Sequence, residues 1–483
     1  MQQLIILVLL VLPAPSLGGD VTCPVATITE NTPVGAFPAE GSAVFPANYN
    51  CTIQFQIPAG QIVKINVTNN LLFDSPDSFT IQDSALALHR MYIVDDIFYL
   101  PATIGKIQIT TETNTSSFYF TWQYIDITTF ERIQKPTGTI LALNLTANTF
   151  YQFISSRGGV AFHTSSISGY TDTALAQIYV YDGADLNAKF IGNLKVFTET
   201  DSVSKGRSLT LVNFYGASVP SYGIANDYAA ISIYDGYFFH VLRSDIDFFT
   251  HQWAKKGMES AITFYSIDSQ ESYITYLNFT NPDETGHEVR VKPMTPMENY
   301  TDLLTYNVDD STDGQVPQQI LINTFTVTFY QCDVYLNIIS RPSLEWSTVK
   351  PGRTGWVYSP SIWNPTENVT TPYYNYFNST NPVKFVFDIQ SVAIEDSGEK
   401  LKVEVGSPTS SNFAVVFNTT VTNTGEKAAH GTYMTTNFTG ISNASSFAMK
   451  FTVENNVETA TKSVRRISVF MALFASIIFN FVI

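Results

Sequence analysis

Glycoside hydrolysis by two carboxylates needs only a suitably spaced pair of acids, and Glu395-Asp396 offers one. In a chain with 42 Asp+Glu against 26 Lys+Arg such pairs arise by default, so this pair alone marks no catalytic site. The six histidines are His89, His163, His240, His251, His287 and His430. None stands four residues from another, and no H-E-x-x-H or Cys/His cluster occurs, so zinc chemistry has no support. The G-x-S-x-G elbow, the G-x-x-x-x-G-K-[ST] loop and the G-x-G-x-x-G turn are all absent. Aromatic rings can stack on sugars. Trp122 sits in the alternating run SFYFTW and reads as core, whereas Trp356 and Trp363 lie in the Pro/Gly-rich stretch 351–366 and read as exposed. Binding is thus better supported than catalysis.

The elements that must position these residues are strands. In Val63-Lys64-Ile65-Asn66-Val67-Thr68 the apolar residues share one face and the polar ones the other. Phe118, Phe120 and Trp122 do the same, as do Phe447, Met449, Phe451 and Val453. Gly, Pro, Asn, Asp and Ser clusters separate such runs at short intervals, the pattern of antiparallel sandwiches. Helical periodicity is nearly absent; its best candidate is a short one around Phe249–Met258. Phe (35) and Tyr (26) are abundant and charged residues only 14%, which favours sheet over helix. Two kinds of echo suggest repeated units. FTIQDS (79–84), IYVYDG (178–183) and ISIYDG (231–236) each read as a strand ending in an acidic turn, and NTSSFYFTW (114–122) and NASSFAMKF (443–451) share Asn-x-Ser-Ser-Phe.

Both ends point outside the cell. Residues 1–18 read as a signal peptide, an apolar run Leu4–Leu12 followed by Pro13, Pro15 and the small residues around Gly18. The apolar run 467–483 has its basic residues Lys462, Arg465 and Arg466 before it, which fits a glycosylphosphatidylinositol signal better than a single span, with Asn455 as the attachment residue. Sequons at Asn66, Asn114, Asn144, Asn278, Asn299, Asn368, Asn378, Asn418, Asn437 and Asn443 suit that compartment and predict surface positions; an eleventh, Asn50, has Cys51 in its middle. The formal charge of −16 argues against nucleic acid as a partner. Among three cysteines, Cys23–Cys51 is the obvious disulfide in an oxidising compartment, worth roughly 3–4 kcal/mol on the chain-entropy model. Cys332, in the strand-like TFTVTFYQCDVYLNI, is expected to be a buried free thiol.

The stretch GSAVFPANYNCTIQFQIPAGQIVKINVTNNLLFDSPDSFTIQDS (41–84) resembles a CUB domain. It has a turn at Pro46–Tyr49, Cys51 before a strand, Ile57-Pro58, an apolar strand, and Asp77 leading to Asp83. Its start, Cys23-Pro24, is similar to the CUB-like branch of nematodes. The likeness is good over 21–126, looser near 136–245 and faint near 350–455; residues 250–345 resemble nothing known. It implies an all-β fold of tandem antiparallel jelly-roll sandwiches. The expected division is a signal peptide 1–18, a CUB-like domain 19–130, a second sandwich 131–247, an unassigned β-rich unit 248–348, a C-terminal sandwich 349–455 and an attachment signal or C-terminal membrane segment 456–483. The resemblance also implies calcium held by Asp74, Asp77 and Glu112, with Glu399 at the equivalent place in the last unit and Ala176 in the second. The implied function is non-enzymatic recognition of a glycan or protein, in innate defence against microbes, either at the outer face of the plasma membrane, in its rafts, or in secreted form. The alternatives are an extracellular carboxylate hydrolase and a structural coat glycoprotein.

Overall fold

The computed structural model describes residues 21–167, 172–216, 219–280, 286–310 and 312–456. The expected signal peptide and the tail beyond residue 456 lie outside the described residues. Nearly all regular structure is strand, and the chain forms two compact units, residues 1–229 and 230–483. Among the described residues the strand pairs run antiparallel except for two, Glu131–Pro136 with Thr149–Ile154 and Gly236–Leu242 with Glu259–Ser266.

The first unit opens with a sandwich made by one sheet folded over itself. Strand Asn50–Asn69 alternates buried Cys51, Ile53, Phe55 and Ile57 with outward polar residues, then bends at Pro58–Gln61 and continues with buried Val63, Ile65 and Val67. Gly60 supplies the bend with a φ of +81°, which a β-carbon would strain. Before the bend the strand pairs with the far half of Asp95–Thr110; after it, with the near half and with Ser117–Asp126. The order across the sheet is 34–37, 117–126, 50–69, 95–110, 78–82, 88–90. Phe45, Phe55, Phe79, Phe118 and Phe120 fill the interior, as the alternation predicts. Cys23 and Cys51 are bonded, with Cα atoms 5.5 Å apart.

A second pair of sheets in the same unit packs around Phe153, Phe162, Val180 and Leu211. In its strand Ile178–Asp182 the other face, Tyr179 and Tyr181, joins Ile62 and Tyr99 of the first sandwich in a shared core. The Tyr179 hydroxyl donates to the Tyr99 carbonyl at 2.8 Å.

In the second unit, sheets running from Gly236 to Ile339 enclose Phe264, Phe325, Phe329 and Leu336. The segment read as a short helix at Phe249–Met258 is instead the strand Phe248–Trp253. The period-two spacing of Phe249, His251 and Trp253, all exposed, won over the helical pattern. ISIYDG also departs from expectation: Ile231 ends a short helix and Ser232–Asp235 form turns, so it is no counterpart of FTIQDS.

The last sheet repeats the first. Its order is 354–358, 446–454, 373–393, 426–438, 401–407, 410–417. Numbered along the chain, these strands occupy the same places as the six of the first sandwich. The long strand Tyr373–Ala393 again breaks register midway, between Asn378 and Val383.

Two half-buried histidines make both units acid-sensitive. Burial depresses His163 to about 4, partly opposed by the Asp201 charge, and depresses His240, packed between Phe248 and Phe264, to about 4 as well. A group that ionises less readily when folded contributes stability above its unfolded value near 6.5 that is lost as pH falls toward 4. Each unit should therefore lose about 1–3 kcal/mol between pH 6.5 and 4. Calorimetry of the His163→Gln and His240→Gln variants, with flatter pH profiles, checks this.

Candidate functional site

Asp77 stands immediately before strand Ser78–Gln82 with no solvent exposure. Its Oδ1 accepts the backbone N–H groups of Glu112 (2.7 Å) and Thr113 (3.0 Å), and its Oδ2 the Thr113 hydroxyl (2.6 Å). Burial pushes its pKa up, but the Ser116 and Thr113 hydroxyls and the two N–H groups outweigh that and hold it below the usual carboxylate value. The carboxylate thus clasps the start of one strand to the loop that leads into Ser117–Asp126.

Glu399 does the same in the last sandwich. It lies just ahead of strand Leu401–Ser407 and accepts from the N–H groups of Glu395, Asp396 and Ile441 and from the Ser445 hydroxyl. Ser116 and Ser445 are the first serines of the two Asn-x-Ser-Ser-Phe echoes, and both are buried. The echo is therefore explained by a shared clasp at the same corner of the same topology. Glu395 and Asp396, the carboxylate pair considered for catalysis, are backbone donors to this clasp.

The three acids expected to hold calcium are not gathered. Asp74 and Glu112 are exposed, Glu112 reaches Asp77 through its backbone N–H, and Asp77 faces hydrogen-bond donors, the complement of the oxygen set a calcium ion requires. Among the described residues no group of three His, Cys, Asp or Glu is arranged to hold a metal. The residues present do not fit the ion. The melting temperature of the purified chain should be the same in calcium and in chelator, as scanning fluorimetry can read.

A cleft of about 360 Å³ opens where the two sandwiches of the first unit meet. Its first wall is Asp83, His89, Met91, Asp96, Ile97 and Phe98; its second is Gln177, Tyr179, Phe190, Asn193 and Tyr215. Asp83 accepts the N–H groups of Ala85 and Ala87 on Oδ1 and meets His89 Nε2 at 2.8 Å on Oδ2, which fixes the imidazole against Phe98. Burial, more than the nearby Asp96 charge, pushes the Tyr215 phenol up to about 12, so it stays protonated at neutral pH. Gln177 Oε1 is buried without a partner. The cleft combines aromatic faces with acceptors, and it was missed in the sequence because its walls are some 90 residues apart, roughly the length of a domain. The acidic turns FTIQDS and IYVYDG were the available signal; their strands line or flank it.

The remaining expectations divide. All ten sequon asparagines are exposed. Trp122 is buried and Cys332 is a buried free thiol whose pKa burial pushes up to about 12. Trp363 is a correction: it is fully buried, edge-on to Tyr358, because the Pro360–Trp363 turn tucks back onto the sheet; Trp356 is half-buried. The exposed tryptophan is Trp253.

Residues 19–128 match the CUB-like domain family, so the chain contains a CUB-like domain. Domains of this class are extracellular binding modules for protein or glycan ligands. Nematode origin is not part of that match. No curated protein matches the chain. Similar solved structures include the CUB1-EGF-CUB2 domains of rat MASP-1, at 12% identity over 44% of this chain and 99% of that one with a TM-score of 0.16. The full extracellular region of zebrafish Gpr126/Adgrg6 is another, at 8% identity over 92% and 54% with a TM-score of 0.19. At such scores the superpositions bear no weight. Among the described residues no helix is long and apolar enough to cross a membrane.

Proposed function

We propose that this chain is a non-enzymatic, cell-surface recognition protein that binds a glycan in the cleft between the two sandwiches of its first unit. The observation behind this is the lining: the half-buried rings of Tyr215 and Phe98 beside the acceptors Asp96 and Gln177 Oε1, with Tyr179 and Asp83 buried among them. Aromatic faces take the C–H faces of a sugar and the acceptors take its hydroxyls. His89 is oriented by Asp83, and among the described residues the lining holds no serine or cysteine beside it, which favours binding over acyl transfer. Microbial glycans are the first choice, since the resemblance at Cys23-Pro24 implies innate defence.

Screening the full chain, made in a secretory host, on a glycan array tests this. Binding to a defined glycan, weakened about 10–100-fold by Asp96→Ala, is expected. Binding to no glycan, or binding untouched by that variant, contradicts it, and capture of a basic peptide instead would assign the acidic lining to a protein partner. The lipid anchor is part of the same proposal. Asn455 is exposed directly after the last strand, so a cleaved tail would leave the sandwich whole. Phosphatidylinositol-specific phospholipase C should release the protein from intact cells; retention with residues 467–483 attached contradicts the anchor. The division into a CUB-like domain 19–130, a second sandwich 131–247, a β-rich unit 248–348 and a C-terminal sandwich 349–455 belongs to this proposal too.

A further inference from the structure

The second unit displays an aromatic surface on the outer face of the sheet formed by Phe248–Trp253, Asp333–Ile339 and Ser272–Phe279. Pairing register lays the outward residues in three rows. The first row runs Tyr276, Asn337, Phe249; the second Asn278, Tyr335, His251; the third ends in Asp333 and Trp253. Phe249 and His251 stack on Tyr335 at centroid distances of 5.8 and 4.4 Å, and Phe249 reaches Tyr276 at 6.4 Å. His251 is also hydrogen-bonded to Asp333. Phe249 is 59% exposed, Trp253 61% and Tyr276 44%. Large apolar groups left contiguous on a soluble surface normally have an occupant.

The occupant is indicated by the middle row. Asn278 begins the sequon Asn278-Phe279-Thr280, points outward, and sits directly across from Tyr335. Side chains so paired have β-carbons about 5 Å apart. Among the described residues the Asn278 side chain makes no hydrogen bond, whereas Asn66, another sequon asparagine, donates to the Thr121 hydroxyl. We propose that the N-linked glycan on Asn278 lies back across this sheet, its first sugar on Tyr335 and Tyr276 and the next toward His251, Phe249 and Trp253. The apolar ring faces then meet sugar C–H groups, and the platform is closed to external ligands. Its glycosylation rests on the secreted compartment proposed above but not on the cleft.

The test is a cycle on the full chain from a glycosylating host: wild type, Asn278→Gln, Tyr335→Ser and the double variant. Glycopeptide mass spectrometry should find Asn278 occupied. Asn278→Gln should lower the melting temperature of the second unit by about 2–4 °C. It should also raise acrylamide quenching of tryptophan fluorescence, since Trp253 is the exposed one of the five. In the Tyr335→Ser background the glycan's removal should shift melting much less. Equal shifts in both backgrounds, unchanged quenching, or an empty Asn278 beside occupied sequons elsewhere would overturn the proposal. Absence of glycan at every sequon would instead overturn the secreted compartment. If Asn278→Gln is not secreted, Tyr335→Ser alone decides: its glycan at Asn278 should be more fully processed than in wild type, and unchanged processing contradicts the packed arrangement.

Discussion

Asp77→Ala should destabilise the first unit by about 3–5 kcal/mol, and Glu399→Ala the second by a similar amount. Asp77 has no solvent exposure, and its removal leaves the Glu112 and Thr113 N–H groups and the Thr113 hydroxyl facing a void. Unmatched buried donors of this kind cost about 1–3 kcal/mol each, and a water that enters the space recovers part of it. Asp77→Asn keeps the shape but loses the charge and presents two donors to donors, so it should lie near the alanine variant. Because the clasp lowers the Asp77 pKa, its contribution is present above the unfolded carboxylate value and fades as pH falls through the folded one. Denaturation followed by calorimetry reads the loss, with each substitution affecting its own unit. If Asp77→Ala melted like wild type, the clasp would be an ornament of the loop and no anchor.

Arg353→Ala should cost the second unit about 3–5 kcal/mol. The guanidinium is 5% exposed and donates to the carbonyls of Gly314 (2.8 Å), Thr354 and Pro317. It lies over the rings of Trp346 and Phe451, 5.5 and 5.4 Å from their centroids. Burial lowers its pKa to about 10, so it remains charged at neutral pH. Alanine would open a cavity and strand three carbonyls; lysine cannot reproduce the planar fork or the stacking and should recover less than half. Equal stability of Arg353→Lys and wild type, by urea titration, would show that charge alone is needed.

Much of the framework was legible because it depends on local patterns. Alternation placed Val63, Ile65, Val67, Phe118, Phe120 and Trp122 inward, and sandwich interiors need little else. Cys23–Cys51 was the obvious pair for an oxidising compartment, and it is bonded. The Asn-x-Ser-Ser-Phe echo was visible as a repeat, but its cause was not: Ser116 and Ser445 donate to acids some 40 residues away, and such contacts leave no periodicity. Trp363 was misjudged since Pro and Gly nearby signal a turn without saying which way it folds. That Asp74 and Glu112 are exposed while Asp77 is clasped by hydrogen-bond donors is a matter of loop contacts, which a family pattern of spacing does not encode. The cleft needs two sandwiches brought together by Tyr179 and Tyr99, a long-range fact that composition and spacing do not encode.

Hydrogen–deuterium exchange of the full chain, with and without the best glycan from the array, tests the central claim most directly. Binding between the sandwiches predicts protection of peptides spanning 83–98, 173–179 and 213–215, with the second unit unchanged. Protection confined to 249–253 and 333–337, or none in the first unit, would contradict it.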